Sequence, residues 1–350
     1  MLSDYVTAVA WSPSGQILAA STGAGEVVLW TAKGVTTLQE SSQRSVDALA
    51  FSWDGQFLAT AGQDGQVQIW QHREIGQTID STSFQLIHTL DNSPAWVDRL
   101  AWSPTDNQLA FSIGRYVQIW DAARTEVVTT LNFEASSVLG MSWRSDGLWL
   151  AIAGNQGAKV WDAQAWEDDP FVVQMPAASV AIAWSPDGKY LASGNLDNTL
   201  TVLEWDNPNL PWVMRGFPGK IRNLTWSEKQ TAGGASILVV SSVEGVVAWE
   251  KHPDDSVGWE SRVLDIHDGV VQAIGFQPGT FLLASAADDG WVCLWQKAKQ
   301  VTQILEGAPH GFSSLDWHPA GEKLAAGGQS GELLIWAKST SGKGFGQRTY

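Results

Sequence analysis

The stretch IAWSPDGKYLASGNLDNTLTVLEW, Ile182 to Trp205, decides the fold. Its apolar runs are rich in β-branched and aromatic residues, the types that suit a pleated, half-buried strand. Pro186-Asp187-Gly188 and Asp197-Asn198 break the runs, and these are turn formers for antiparallel hairpins. One such stretch predicts three short strands and two tight turns. The chain of 350 residues repeats it eight times.

Two markers keep the same count. The aromatic of the first run falls at Trp11, Phe51, Trp102, Trp143, Trp184, Trp226, Phe276 and Trp317. The third run closes on Trp30, Trp70, Trp120, Trp161, Trp249, Trp295 and Trp336, with Leu203 in that place in the fifth unit and Trp205 two residues beyond it. A weaker fourth run follows, as in VTTL (35–38), EVVTTL (126–131) and VTQIL (301–305). Four antiparallel strands in each of several units of 40–50 residues predict the blades of a β-propeller.

AWSPDG, LASGN and the Trp-Asp pairs at 120–121 and 161–162 resemble WD40 repeats, and the resemblance covers essentially the whole chain. It implies an all-β fold, a single eight-bladed β-propeller with four antiparallel strands per blade. The propeller spans 1–336, with repeats near 5–38, 45–90, 96–131, 137–174, 179–214, 220–266, 270–305 and 311–336, and residues 337–350 form a Gly/Ser/Lys-rich tail. This family often carries a hydrogen-bonded tetrad of His, Ser/Thr, Asp and Trp. Only the seventh repeat matches throughout, with His267, Ser285, Asp289 and Trp295. The second lacks the His. Ala20, Phe111, Ile152, Val240 and Ala326 stand where other repeats would need a hydroxyl. A net hydrogen bond contributes about 1 kcal/mol, and burial of a large apolar side chain roughly 1.5–3 kcal/mol. Packing of apolar side chains, including many of the 21 tryptophans, is therefore expected to hold the blades.

The tail after Trp336 is a poor strand by composition. Leu2 to Val6 aligns with the very end of a fourth strand. The expectation is an eighth blade lacking a good outer strand, with the natural start upstream or residues 342–350 pairing weakly.

Composition narrows the function. The 44% hydrophobic and 17% charged content indicate a folded chain. Net charge is −16, without Lys/Arg clusters of the kind that neutralise phosphates, so nucleic acid is not expected and the surface favours basic partners. The N-terminus has no basic region of a signal peptide, and no apolar run is long enough for membrane insertion, so a cytoplasmic location is expected. The single cysteine, Cys293, lies between Val292 and Leu294 and reads as a small buried hydrophobe. No catalytic, cofactor-binding or metal motif is found. SGKGFG (341–346) departs from the phosphate-loop pattern. Asp265, His267, Asp268, Asp288 and Asp289 are the nearest thing to a metal cluster, but the tetrad accounts for His267 and Asp289.

The expected function is a non-catalytic scaffold presenting a propeller face to a protein or peptide partner, with a small-molecule ligand disfavoured. Residues entering the innermost strands supply the candidates: Trp96, Asp98, Arg99, Lys220, Arg222, Gln272 and Phe312. Trp and Arg are the types that dominate binding energy. The alternatives are a ligand-binding or enzymatic propeller using a central channel, and an assembly factor for a larger complex. Arg99 and Asn223 break a row of small residues in the innermost strands and are the channel candidates.

Overall fold

The computed structural model describes all residues except 73–83, 135, 156, 244, 340–343 and 348–350. The first blade comprises β1 (Val6–Trp11), β2 (Leu18–Thr22), β3 (Val27–Thr31) and β4 (Gly34–Gln39), hydrogen-bonded in that order. Seven further four-stranded blades follow. They run from β5 (Val46–Phe51) to β8 (Phe84–Asp91), β9 (Leu100–Trp102) to β12 (Glu126–Asn132), and β13 (Val138–Trp143) to β16 (Phe171–Val173). Next come β17 (Ser179–Trp184) to β20 (Asn207–Met214) and β21 (Asn223–Gln230) to β24 (Trp259–Leu264). The last two are β25 (Val271–Phe276) to β28 (Gln300–Glu306) and β29 (Phe312–Trp317) to β32 (Phe345–Gln347). Every pairing is antiparallel, no helix occurs among the described residues, and the architecture is an eight-bladed β-propeller.

The repeated sequence explains the repeated hairpin. In the fifth blade Ser185 ends β17, and its hydroxyl accepts the Tyr190 N–H at 2.9 Å, closing the turn into β18 (Tyr190–Asn195). Ser12, Ser52 and Ser227 close the corresponding turns onto Ile17, Phe57 and Ile237 at 2.9–3.1 Å. Gly188 completes the turn at φ 68°, a conformation that a Cβ disfavours. Second strands are deeply buried: β2, β18 and β22 (Ser236–Ser242) are buried at every position. Fourth strands are largely exposed, as their weaker hydrophobicity requires.

The blades group into two compact units, residues 1–130 with 307–350, and residues 131–306. In the first unit Phe57 stacks on Trp102 of the next blade, with centroids 5.9 Å apart and planes 20° apart. Trp102 Nε1 donates to the Ala50 carbonyl at 2.9 Å. In the second unit the same joint recurs: Tyr190 stacks on Trp226 at 6.3 Å, and Trp226 Nε1 donates to the Ala183 carbonyl at 3.2 Å. Aromatic burial thus joins neighbouring blades, with one hydrogen bond fixing each indole.

The eighth blade does have an outer strand. Within the stretch read as a tail, Phe345–Gln347 pairs antiparallel with β31 (Leu333–Lys338). Phe345 is buried edge-on against Trp317 at 5.3 Å, so one aromatic anchors a segment of low strand propensity. Leu2 N–H donates to the Gly331 carbonyl at 2.8 Å, holding the N-terminal residues to the same blade.

Candidate functional site

The tetrad residues of the seventh blade meet. His267 lies in the connection before β25, Ser285 in β26 (Leu283–Ala287), Asp289 in the following turn and Trp295 in β27 (Trp291–Gln296). His267 Nδ1 is 2.7 Å from Asp289 Oδ2, and its Nε2 is 2.8 Å from Ser285 Oγ. Trp295 Nε1 donates to Ser285 Oγ at 2.9 Å. Both ring nitrogens of the buried His267 are engaged, and Asp288 accepts from Gln272 Nε2 at 3.0 Å. Among the described residues no group of three or more His, Cys, Asp and Glu is placed to hold a metal ion. Cys293 is fully buried; desolvation first, and then the Asp289 charge, push its thiol up to about 12. A thiol in that state is not a nucleophile at neutral pH.

In two blades where the hydroxyl is replaced, the indole goes without. Trp120 and Trp249 Nε1 are buried with no protein acceptor within hydrogen-bond distance, in the blades whose second strands carry Phe111 and Val240. The fifth blade solves its missing Trp in two ways that the motif does not reveal. Trp205 packs edge-on against Trp184 at 5.0 Å and Trp149 at 5.3 Å, in place of a Trp at 203. Asn195, fully buried, donates to Thr199 and Thr201 Oγ1, each at 2.9 Å, and accepts from Ser193 Oγ at 2.9 Å. Ser193 in turn lies 2.6 Å from Ser179 Oγ. Motif matching missed this network because its members are ordinary strand Ser, Thr and Asn. The only available signal was their number in one repeat.

The binding-face candidates fall in two places. In the first unit, Trp96, Asp98 and Arg99 occupy the connection from β8 to β9. Trp96 is 62% exposed. Its loop is pinned to the second blade: Asn92 N–H donates to the Gly65 carbonyl at 2.9 Å, and Val97 N–H to Gly62 at 3.1 Å. Val97, next to the exposed indole, is fully buried. Asp98 accepts from Ser112 Oγ at 3.1 Å, and Arg99 Nη1 donates to the Asp98 carbonyl at 2.9 Å. In the second unit, Lys220 and Arg222 are exposed before β21, and Gln272 is half-buried at the start of β25. Phe312 is a correction. It is fully buried, 5.9 Å from Trp336, because the first residue of β29 turns into the blade and not toward solvent. Asn223 is also committed: its Nδ2 donates to Ser241 Oγ and to the Gln272 carbonyl, both at 3.0 Å. Of the two polar exceptions of the innermost strands, Asn223 thus serves the scaffold around it, while the half-exposed Arg99 bonds its neighbour Asp98.

The WD domain, G-beta repeat model matches residues 2–31, 33–71, 125–162, 174–204, 258–296 and 299–337, more than half of the chain. The chain belongs to the WD40 family. The segments outside the match include part of each of the two longest repeat intervals, where a connection follows Trp70 and where the hairpin 227–236 lengthens a WD40 blade. The connection after Trp70 lies largely outside the described residues. Among solved structures, the chain resembles Sqt1 from Chaetomium thermophilum, with a TM-score of 0.82 at 17% identity, covering 96% of this chain and 97% of that one. It also resembles Sqt1 bound to the N-terminus of the ribosomal protein L10, with a TM-score of 0.81 at 16% identity, covering 95% and 97% of the two chains. At such identity the likeness is one of fold. A chromatin assembly factor 1 subunit FAS2 homolog from Oryza sativa subsp. japonica is 29% identical over 103 residues, which are 28% of this chain and 20% of that protein. The matched part spans about a fifth of that relative. Among the described residues no helix is long and apolar enough to cross a membrane.

Proposed function

We propose that this WD40 propeller is a non-catalytic interaction scaffold that binds a segment of a partner protein on the edge of the blades carrying Trp96. The observation that supports it most is the Trp96 indole, 62% exposed on a loop tied by backbone hydrogen bonds to the neighbouring blade. An aromatic on a loop whose backbone is already tied down loses less entropy on binding, which favours a hot spot. The net charge of −16 favours a partner segment of positive charge. The engaged nitrogens of His267 and the protonated thiol of Cys293 support a role without chemistry of its own. The single thiol, buried and unbridged, suits the reducing cytoplasm.

An assembly role within a larger complex is the finer form of this reading. It draws on one fold neighbour holding a ribosomal-protein terminus and on the name of the partial relative. Cross-linking mass spectrometry on material from the native cell tests the proposal. Cross-links from a partner to residues 91–99 are expected, and Trp96→Ala is expected to weaken that partner's affinity by roughly tenfold or more. Repeated capture of no partner, or capture indifferent to Trp96→Ala, rejects it.

A further inference from the structure

Between Asp206 and Glu228 the sequence contains no acid and three cations, Arg215, Lys220 and Arg222, in a chain of net charge −16. All three lie in the connection from β20 to β21, residues 215–222, and all are exposed. None of their side chains has a hydrogen-bond or ion-pair partner among the described residues. The loop that carries them is anchored. Phe217 is buried with its ring 6.2 Å from Trp249, and Ile221 is fully buried over Gly194 of β18. Gly219 N–H donates to Ser242 Oγ at 3.1 Å, and that hydroxyl donates to the Gly219 carbonyl at 2.7 Å. A Cβ on Gly219 would fall 2.6 Å from Val243 Cγ2, so the loop lies directly against the turn after β22. Val243 itself sits at φ 54°, a rare conformation for a β-branched residue, held by the Val271 N–H on its carbonyl at 2.9 Å. Two residues beyond Gly194, Leu196 is 53% exposed.

We infer that this loop is a docking site for a short acidic segment of a partner protein. Two or three carboxylates of that segment pair with Arg215, Lys220 and Arg222, and an apolar residue covers Leu196. Charge complementarity selects the occupant. Three cations on an anchored loop, with no carboxylate partner among the described residues, attract carboxylates. Their neighbours limit the occupant's length. The turn after β18 carries Asp197, and the seventh blade carries Asp265, Asp268 and Asp288 in the connection before β25 and the turn after β26. A nucleic-acid backbone would run from the three cations onto these acids and be repelled, whereas a peptide of a few residues that reaches Leu196 ends before the acids of the seventh blade. The site lies on a different loop from Trp96 and prefers the opposite charge, so it stands or falls separately from the Trp96 proposal.

Fluorescence anisotropy of a labelled Glu-Glu-Leu-Glu-Glu-Leu peptide with the full chain tests it. Saturable binding at low salt is expected, weakening as salt shortens the range of the attraction. The double variant Lys220→Glu/Arg222→Glu is expected to bind about tenfold or more weakly. A control variant, Arg44→Glu/Lys338→Glu, is expected to bind like the parent. Circular dichroism melts of both variants confirm that they fold. Absence of binding by the parent, equal losses in the two variants, or tighter binding of a single-stranded oligonucleotide of matched charge each overturns the proposal.

Discussion

At the residue scale, Asp316 occupies a position where the other innermost strands hold Ala10, Ala50, Ala101, Ser142, Ala183, Thr225 and Gly275. Its Oδ2 accepts the Trp11 N–H at 2.7 Å, joining the eighth blade to the first. Burial pushes its carboxyl up to about 7, against the pull of the Trp11 and Trp317 N–H groups. The folded state therefore holds a proton that the unfolded chain releases near the ordinary value of 3.8. The contribution to stability is full below that value and is lost as pH rises through the folded pKa. Asp316→Asn keeps an acceptor for Trp11 and removes the titration. Relative to the parent, it is expected to gain on the order of 1–3 kcal/mol at about pH 8, with the gain shrinking toward about pH 5, in urea unfolding curves. An offset equal at both pH values refutes this. His318, 5.1 Å from Trp11, acts in the opposite sense, since burial and Lys323 lower its pKa and its contribution is lost as pH falls below its usual range. Comparing variant with parent isolates Asp316. Sequence gave no warning of this carboxylate, because an Asp in a strand reads as solvated until its neighbours are known.

At the scale of the element, polar networks differ from blade to blade while the strands do not. Asn195 bonds three hydroxyl groups inside the fifth blade, whereas among the described residues Thr60 in the second blade accepts from Trp70 Nε1 alone, at 3.3 Å. Asn195→Ala leaves several buried hydroxyls without their partner and is expected to destabilise by about 3 kcal/mol. Thr60→Val is expected to cost about 1 kcal/mol. Chemical denaturation of the two variants distinguishes them, and equal effects would show that the fifth-blade network adds nothing beyond a single bond. The strands themselves were legible because most are short runs rich in apolar, β-branched and aromatic residues between turn residues. The fourth strands were less so, and the three-residue β32 ran against its own composition, since Phe345 finds Trp317 only in the folded blade.

For the whole molecule, charge is the lever. A chain of −16 repels itself at neutral pH, far above its pI of about 4.6. Raising sodium chloride from about 20 mM to about 500 mM is expected to lift the melting temperature by a few degrees, on the order of 1 kcal/mol, by screening that repulsion. A flat or falling melting temperature would show that local ion pairs such as Arg262–Glu250, 2.8 Å apart, outweigh the global term.

The sequence by itself determined the blade count, the strand order within each blade and the seventh-blade tetrad, because a repeated pattern of apolar runs and turn residues acts locally and is spelled out eight times. Only the tertiary structure decided which side chains face solvent. Trp96 and Val97 are neighbours in the approach to β9, yet one is presented and the other fully buried, and Phe312, read as a face residue, opens β29 buried. The same holds for Asp316 and for the loop of Arg215, Lys220 and Arg222. Exposure, pairing and desolvation are set by neighbouring blades, and those neighbours come from distant parts of the chain.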